Sequence, residues 1–350
     1  MKGPGGPAAT GSPHVRGRSA PRTLLRVTTS AADLSAEFEQ HRPRMFGIAY
    51  RMLGSAAEAE DTVQDAWLRW SAADRGDVLH PGAWLAKAVT HLCLNRLTSA
   101  RARREAYVGP WLPEPVLTGD GALGPLESAE QRDSVSTALL LLLEELTPVE
   151  RAVYVLREAF AYGHREIAGL LDVSEANSRQ LHRRASARVA TGRAAAAAAG
   201  GEDGGGESPA AVRSRRFQPD PAQWQVLVEG FLAAARDGDL ARLEGMLAAD
   251  VRYVSDGGGV VSAARRPVEG RDKVARFLAG AVRKFGAGLP VAVAPVNGEP
   301  ALLVGGAAVV MQVEFEDGLV SEVRTVLNPE KLEFLAQQLS RSPGLSNPGW

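Results

Sequence analysis

The sequence predicts a multidomain chain: two all-α helical domains, the second built around a helix-turn-helix, followed by an α+β cone. Three observations carry that prediction. Apolar residues recur at helical spacing through most of residues 34–190. Two stretches rich in Pro or Gly, 107–124 and 194–210, interrupt the pattern and read as linkers. Beyond about residue 250, short β-branched runs separated by Gly-containing turns replace the long helical periods. A length of 350 residues allows two or three domains that each bury a core.

Residues 1–32 carry Lys2, Arg16, Arg18, Arg22 and Arg26 and no acid, and their Gly, Pro and Ser content predicts a disordered basic tail. The first helix is expected from Leu34 to Leu53, with Phe38, Met45, Ile48, Ala49 and Met52 on its apolar face and Gly54 as its stop. Ser55 caps a second helix that runs to about Trp70, with Val63, Ala66, Trp67 and Trp70 facing inward. Residues 71–80 read as a loop. Pro81 opens a third helix through Trp84, Leu85, Ala88, Val89 and Leu92 to Leu97. Residues 33–104 thus form the first helical domain, and 105–130 a Pro/Gly linker.

The second domain covers 131–191. Gln131–Glu145 is helical. Thr147, Pro148 and Glu150 then make a capping box with Pro at the first helical position. Apolar residues follow at Val153, Leu156 and Phe160. A short helix presents Ile167, Ala168, Leu170 and Leu171, Asp172 and Val173 make the turn, and Ser174 caps a last helix. That last helix carries Asn177, Arg179, Gln180, His182, Arg183 and Arg184. Arg reads guanine edges or grips phosphate, and Asn or Gln reads adenine, so this face suits the major groove. Residues 192–216 form a flexible second linker. Residues 217–341 form the α+β cone, with helices at 222–236, 240–247, 272–285 and 331–339. Its strands are expected at 251–255, 260–263, 290–296, 302–304, 307–315 and 319–326, and Asp317-Gly318 marks a hairpin. Residues 342–350 are a tail.

Composition excludes several functions. The formal net charge is −1, so the whole molecule is no general polyanion binder; the cluster Arg96, Arg101, Arg103 and Arg104 is basic only locally. Cys93 is the only cysteine, which rules out an intrachain disulfide and a cysteine zinc site and fits a reducing, cytoplasmic setting; on its helix it reads as a structural residue. No apolar run reaches membrane-spanning length, and the N-terminal tail lacks the apolar core of a signal peptide. No metal-ligand constellation or phosphate loop occurs, so no metal and no cofactor are expected. The histidines fall at 14, 41, 80, 91, 164 and 182, none in the cone. A cone-fold enzyme needs an acid–base pair, and only carboxylates such as Asp250, Asp256 and Glu314 remain. Asp256 before three glycines reads more simply as a turn residue. No catalytic residue is therefore assigned.

The second helix places Asp61, Gln64, Asp65 and Leu68 on one strip, which suits docking to a basic partner helix but by spacing alone is an ordinary amphipathic face. The motifs in combination go further. AAEAEDTVQDAWLRW, PGAWLAKAVTHLCLNRL and LTPVERAVYVLREAFAYGHREIAGLLDVSEANSRQLHRR resemble, in order, regions 2 and 4 of the extracytoplasmic-function sigma factors. YVGPWLPEPV at 107–116, DGGG at 256–259 and NPEKL at 328–332 resemble the subgroup with a SnoaL-like, NTF2-like C-terminal extension. The resemblance implies that Asp61, Gln64, Asp65 and Leu68 dock on core RNA polymerase. It implies that Trp84, Arg96, Arg101, Arg103 and Arg104 act at the −10 element, trapping unstacked bases and holding phosphates. Asn177, Arg179, Gln180, His182, Arg183 and Arg184 would read the −35 element. Trp111, Pro113, Asp256, Gly257, Gly258, Asn328, Pro329 and Lys331 would join the extension to the 107–116 linker. The implied partners are core RNA polymerase and promoter DNA, without a separate anti-sigma factor, and the cone is expected to be able to hold a small ligand. Two other functions compete: a one-component ligand-sensing helix-turn-helix regulator, and a cyclase or isomerase fused to a DNA-binding region. A simple regulator needs neither the docking strip nor the melting element, and the absence of histidine from the cone weighs against an enzyme.

Overall fold

The structure, a computed structural model, describes residues 1, 3, 31–73, 78–119, 121–123, 132–198, 221–286 and 288–341. Most of the basic tail, part of the loop at 71–80, most of the second linker and the tail at 342–350 lie outside the described residues.

Helices α1 (Ala31–Leu53), α2 (Ala56–Ala72) and α3 (Pro81–Glu105) pack on one another. Gly54, at φ +65°, ends α1, and its N–H donates to Tyr50 O. Ser55 then caps α2 by accepting from the Glu58 N–H. The expected stripes meet: Met45, Ile48, Ala49 and Met52 bury against Val63, Ala66 and Trp70 and against Leu85, Val89 and Cys93. Helix α3 continues well past Leu97, because Arg and Glu are strong helix formers even where the apolar period lapses.

Helix α4 is confined to Thr137–Leu143, shorter than the expected 131–145. Helices α5 (Pro148–Glu158), α6 (His164–Leu171) and α7 (Glu175–Ala198) build the helix-turn-helix. Both halves of the Thr147/Glu150 capping box form. Asp172 takes the left-handed conformation (φ +55°) that turns α6 into α7, and Ser174 Oγ accepts from Asn177 N–H. Val153, Leu156, Ile167, Leu170 and Leu181 belong to the same apolar core as α1–α3, so the two helical units share one interior.

Helices α8 (Pro221–Asp237) and α9 (Leu240–Met246) precede strands β1 (Leu247–Asp256) and β2 (Val268–Glu269), helix α10 (Arg271–Ala281) with a π-helical turn at Val282–Gly286, strands β3 (Val291–Val296), β4 (Glu299–Val304), β5 (Val309–Glu316) and β6 (Leu319–Val326), and helix α11 (Pro329–Arg341). The six-stranded sheet runs β2-β1-β6-β5-β4-β3. The sheet is mixed, because β1 pairs with β6 in parallel. One expectation is corrected. Residues 260–263 are not a strand: Gly258 and Gly259 take positive φ, and the N–H groups of Val260 and Val261 fold back onto Gly257 O. Hairpins turn at Asp317-Gly318, as expected, and at Asn297-Gly298, both with two consecutive positive φ values.

One face of the sheet packs under α8, α9 and α10, where Tyr253, Phe277, Val313, Phe315 and Val323 fill the space. The other face, with Ala294, Val296, Leu303, Val310 and Val326, packs on Leu112 and Leu117 of the first linker and on Leu332 and Leu335 of α11. Among the described residues no helix is long and apolar enough to cross a membrane.

Candidate functional site

The 107–118 segment is where the sequence departs most from a passive tether. Its prolines keep it extended, and residues 112–117 are buried between the helical unit and the sheet. Its first half is held by the two C-terminal motifs. Asp256, with no exposed surface, accepts from Tyr107 Oη (2.5 Å) and from Leu112 N–H (2.8 Å) and pairs with Lys331 Nζ (2.7 Å). Lys331 Nζ also donates to Leu112 O at 2.6 Å and lies 4.4 Å from the Trp111 ring centroid. Asn328 Nδ2 donates to Tyr107 Oη at 2.9 Å. Burial pushes the Lys331 amine below its ordinary value, against the pull of the Asp256 carboxylate. Gly257 and Gly258 are needed for close approach: a Cβ at 258 would sit 2.3 Å from Asn328 Nδ2, and one at 257 would sit 2.7 Å from Ala263 Cβ. Pro113 is buried within the strap, and Pro329 opens α11. The structure thus brings Trp111, Asp256, Gly258, Asn328 and Lys331 together around Tyr107 and Leu112, with Pro113, Gly257 and Pro329 next to them in the chain.

The second half of the strap grips the helical unit. The Glu114 carboxylate accepts from Ser55 Oγ (2.6 Å) and from the N–H groups of Ala56 (2.8 Å) and Ala57 (3.0 Å), at the N-terminus of α2. Burial pushes its pKa up, opposed by the Ser55 hydroxyl and those backbone donors. Tyr50 Oη donates to Glu114 O, and Asn297 Nδ2 donates to Tyr50 Oη and to Val135 O, at 2.6, 2.6 and 3.0 Å. Asn297 also exchanges hydrogen bonds with Val116. Thr137 Oγ1 donates to Gln312 Oε1, and Gln338 Oε1 accepts from Leu117 N–H. Phe334 of α11 stacks on Phe46 of α1 with centroids 5.3 Å apart. Sequence reasoning did not single out Tyr107, Glu114, Asn297 or Gln338. The Asn-Gly turn at 297–298 was the one local signal available; the rest are polar side chains whose burial only the tertiary fold reveals.

On α2, Leu68 is 59% exposed, Asp61 and Gln64 are exposed and Asp65 is half-buried beside them. The basic cluster divides. Arg96 donates to Asp65 at 2.6 Å and lies 3.7 Å from Asp61, so it links α3 to that strip. Arg104 is engaged within the chain in this state: its guanidinium pairs with Glu144, donates to Leu53 O and lies over Trp111 at 4.0 Å. The side chains of Arg101 and Arg103 lie outside the described residues. Trp84 is half-buried and packs on Trp70, with centroids 5.4 Å apart.

On α7, Asn177, Arg179, Gln180, Arg183 and Arg184 are exposed. Arg179 is loosely held by Glu175 (2.5 Å), and Arg184 leans towards Glu150 (3.7 Å). His182 is half-buried and lies 2.7 Å from Glu158, beside Tyr154 and His164. The turn between α6 and α7 docks on α3. Lys87 Nζ pairs with Asp172 at 2.6 Å, and His91 Nε2 lies 2.8 Å from Leu170 O.

Comparison with known proteins gives a consistent result. Residues 38–103 match Sigma-70 region 2, and residues 136–189 match Sigma-70, region 4. The chain is 37% identical over 308 residues to the ECF RNA polymerase sigma factor SigJ of Mycobacterium tuberculosis, covering 85% of this chain and 92% of that one. It is 31% identical over 316 residues to the probable ECF RNA polymerase sigma factor SigI of the same organism, covering 87% and 97%. The crystal structure of Mycobacterium tuberculosis SigJ superposes with a TM-score of 0.62 at 32% identity, covering 86% of this chain and 98% of that one.

Proposed function

The chain belongs to the extracytoplasmic-function RNA polymerase sigma factors, which bind core polymerase and promoter DNA to start transcription, and from that premise we propose that its C-terminal domain controls it in cis. The observation that carries the proposal is the grip of Asp256 and Lys331 on the 107–112 strap, with Glu114 of the same strap seated on α2. In the proposed division of labour, Asp61, Gln64, Asp65 and Leu68 dock on polymerase. Trp84, Arg96, Arg101 and Arg103 serve the −10 element, and Asn177, Arg179, Gln180, Arg183 and Arg184 the −35 element.

Elementary dimensions support reading this state as closed. By their positions the two promoter elements are centred about 25 base pairs apart, roughly 85 Å at 3.4 Å per base pair. Here α3 and the α6–α7 turn are in direct contact through Lys87 and Asp172. A sigma factor engaged with both elements must separate them, and the strap between them must leave its seat to span the gap. The joint opposes that release, so it acts as a brake without a separate anti-sigma factor. The C-terminal domain works by binding and not by catalysis: of the carboxylates a cone-fold enzyme could use, Asp256 is committed to the joint and Glu314 pairs with Arg324.

The test is run-off transcription with core polymerase and the full chain against a version ending near Arg193. Truncation is expected to change transcript yield strongly while duplex binding by α7 persists. Equal yields from both versions would overturn control in cis.

A further inference from the structure

The far side of the C-terminal domain has an open cleft of about 1100 Å³ that the joint does not use. Its walls are the end of α8, the start of α9, the end of α10 with its π-helical turn, and the Gly288–Val291 approach to β3. Three arginines line it: Arg236, Arg276 and Arg283. Arg276 is paired with Asp272 one turn earlier, while Arg236 and Arg283 have no acidic partner among the described residues. Asp237 is the one acid in the lining. The rest is mostly apolar, from Leu240, Val282, Leu289, Pro290 and Val291, and Leu240, Leu289 and the neighbouring Phe285 are exposed to solvent. Large apolar side chains left in water beside unpaired guanidinium groups describe the two halves of one ligand.

We propose that this cleft binds a single-chain amphiphilic carboxylate, its head between Arg236 and Arg283 and its chain on Leu240, Val282, Leu289 and Val291. The cleft has room for such a molecule. A π-helical turn in the wall is the kind of local distortion that recurs at binding sites, because it re-aims the side chains around it. The site also has a route to the joint. Strand β3 begins at Val291 in the cleft wall and ends at Val296, next to the Asn297 that holds Val116, Tyr50 and Val135. Binding in the cleft is a property of this domain alone and stands whether or not the domain controls transcription.

The experiment is thermal unfolding of the full chain with sodium decanoate, decanol and inorganic phosphate in turn, followed by titration calorimetry with decanoate. Decanoate is expected to raise the unfolding temperature saturably. The double variant Arg236→Gln/Arg283→Gln should lose at least tenfold in decanoate affinity, while Arg242→Gln, on α9 outside the lining, should keep it. Equal stabilisation by decanol would show an apolar patch without head-group recognition, and stabilisation by phosphate alone would show an anion site without a chain channel; either overturns the proposal. So would unchanged decanoate affinity in the double variant, or no saturable effect in the parent.

Discussion

Substituting Lys331→Met isolates the brake. The substitution keeps the length of the side chain against Tyr107 and Trp111 but removes the ammonium that lies 2.7 Å from Asp256 and 2.6 Å from Leu112 O. Asp256 has no exposed surface, so its carboxylate would keep only Tyr107 Oη and Leu112 N–H. Breaking a buried ion pair from one side costs about 3–5 kcal/mol, because the remaining charge stays desolvated. At about 1.4 kcal/mol per factor of ten, the equilibrium between seated and released strap should shift at least ~100-fold. Amide hydrogen exchange reads this directly. The N–H groups of Leu112, Glu114, Val116 and Leu117 are bonded to Asp256, Gly54 O, Asn297 and Gln338. Their exchange should accelerate by about that factor, while amides of α6 and α7, which do not depend on the joint, keep their protection. Adding Asp256→Asn should recover much of the loss, since removing both charges leaves no unpaired buried charge. Unchanged protection of the strap in Lys331→Met would refute the reasoning, as would a double variant that costs the sum of the two singles.

The other predictions concern the surfaces. Reversing charge at both Asp61 and Asp65 to Lys should weaken co-purification with core polymerase and leave the helical circular dichroism intact; undiminished recovery with polymerase counts against the strip. Arg179→Ala should alter sequence preference in a binding-site selection, by about 1–3 kcal/mol at the affected base if the contact is bidentate to guanine. A uniform loss across sequences would reassign it to phosphate. Cys93 is buried with its thiol pushed up by burial, so it stays protonated and unreactive. Cys93→Ser should lower stability by about 1–3 kcal/mol in chemical denaturation, since it puts a hydroxyl into an apolar core. An oxidant response of transcription that vanished in this variant would contradict the assignment.

The elements with strong local signals were legible. The α1 stop at Gly54, the Ser55 cap, the Thr147/Glu150 box and the Asp317-Gly318 hairpin all depend on residues within a few positions of one another. The eight joint residues were legible as motifs, although chain chemistry alone read Asp256 as a turn residue. Tertiary partners were not legible. Arg104 and His182 were assigned to DNA by type, and in the folded chain each also finds a carboxylate from another element, Glu144 and Glu158. Residues 260–263 look like a strand because Val-Val-Ser-Ala has strand propensity, but the preceding glycines fold them into a turn and β2 takes the place beside β1. Parallel pairing of β1 with β6 leaves no trace in the sequence between them.

Glu114 extends the proposed brake to the proposed polymerase-docking strip. Its carboxylate occupies the N-terminus of α2, where exposed N–H groups and the helix dipole favour an anion. The docking strip begins one turn further along the same helix, at Asp61. When the strap leaves, α2 keeps the Ser55 cap but loses two charge-assisted hydrogen bonds, so its first turn loosens. Reciprocity then applies. If polymerase binds the strip with different affinity in the seated and released states, strap release must alter polymerase affinity by the same factor as polymerase alters release. A chain in which Lys331→Met frees the strap is therefore expected to bind core polymerase with changed affinity even though no residue of the strip is touched, and Glu114→Gln should weaken that coupling by leaving the N–H groups of Ala56 and Ala57 with a neutral acceptor. Identical polymerase affinity in the parent chain and in Lys331→Met, with the strap shown by exchange to be released, would separate the two events and confine the brake to the geometry of the linker.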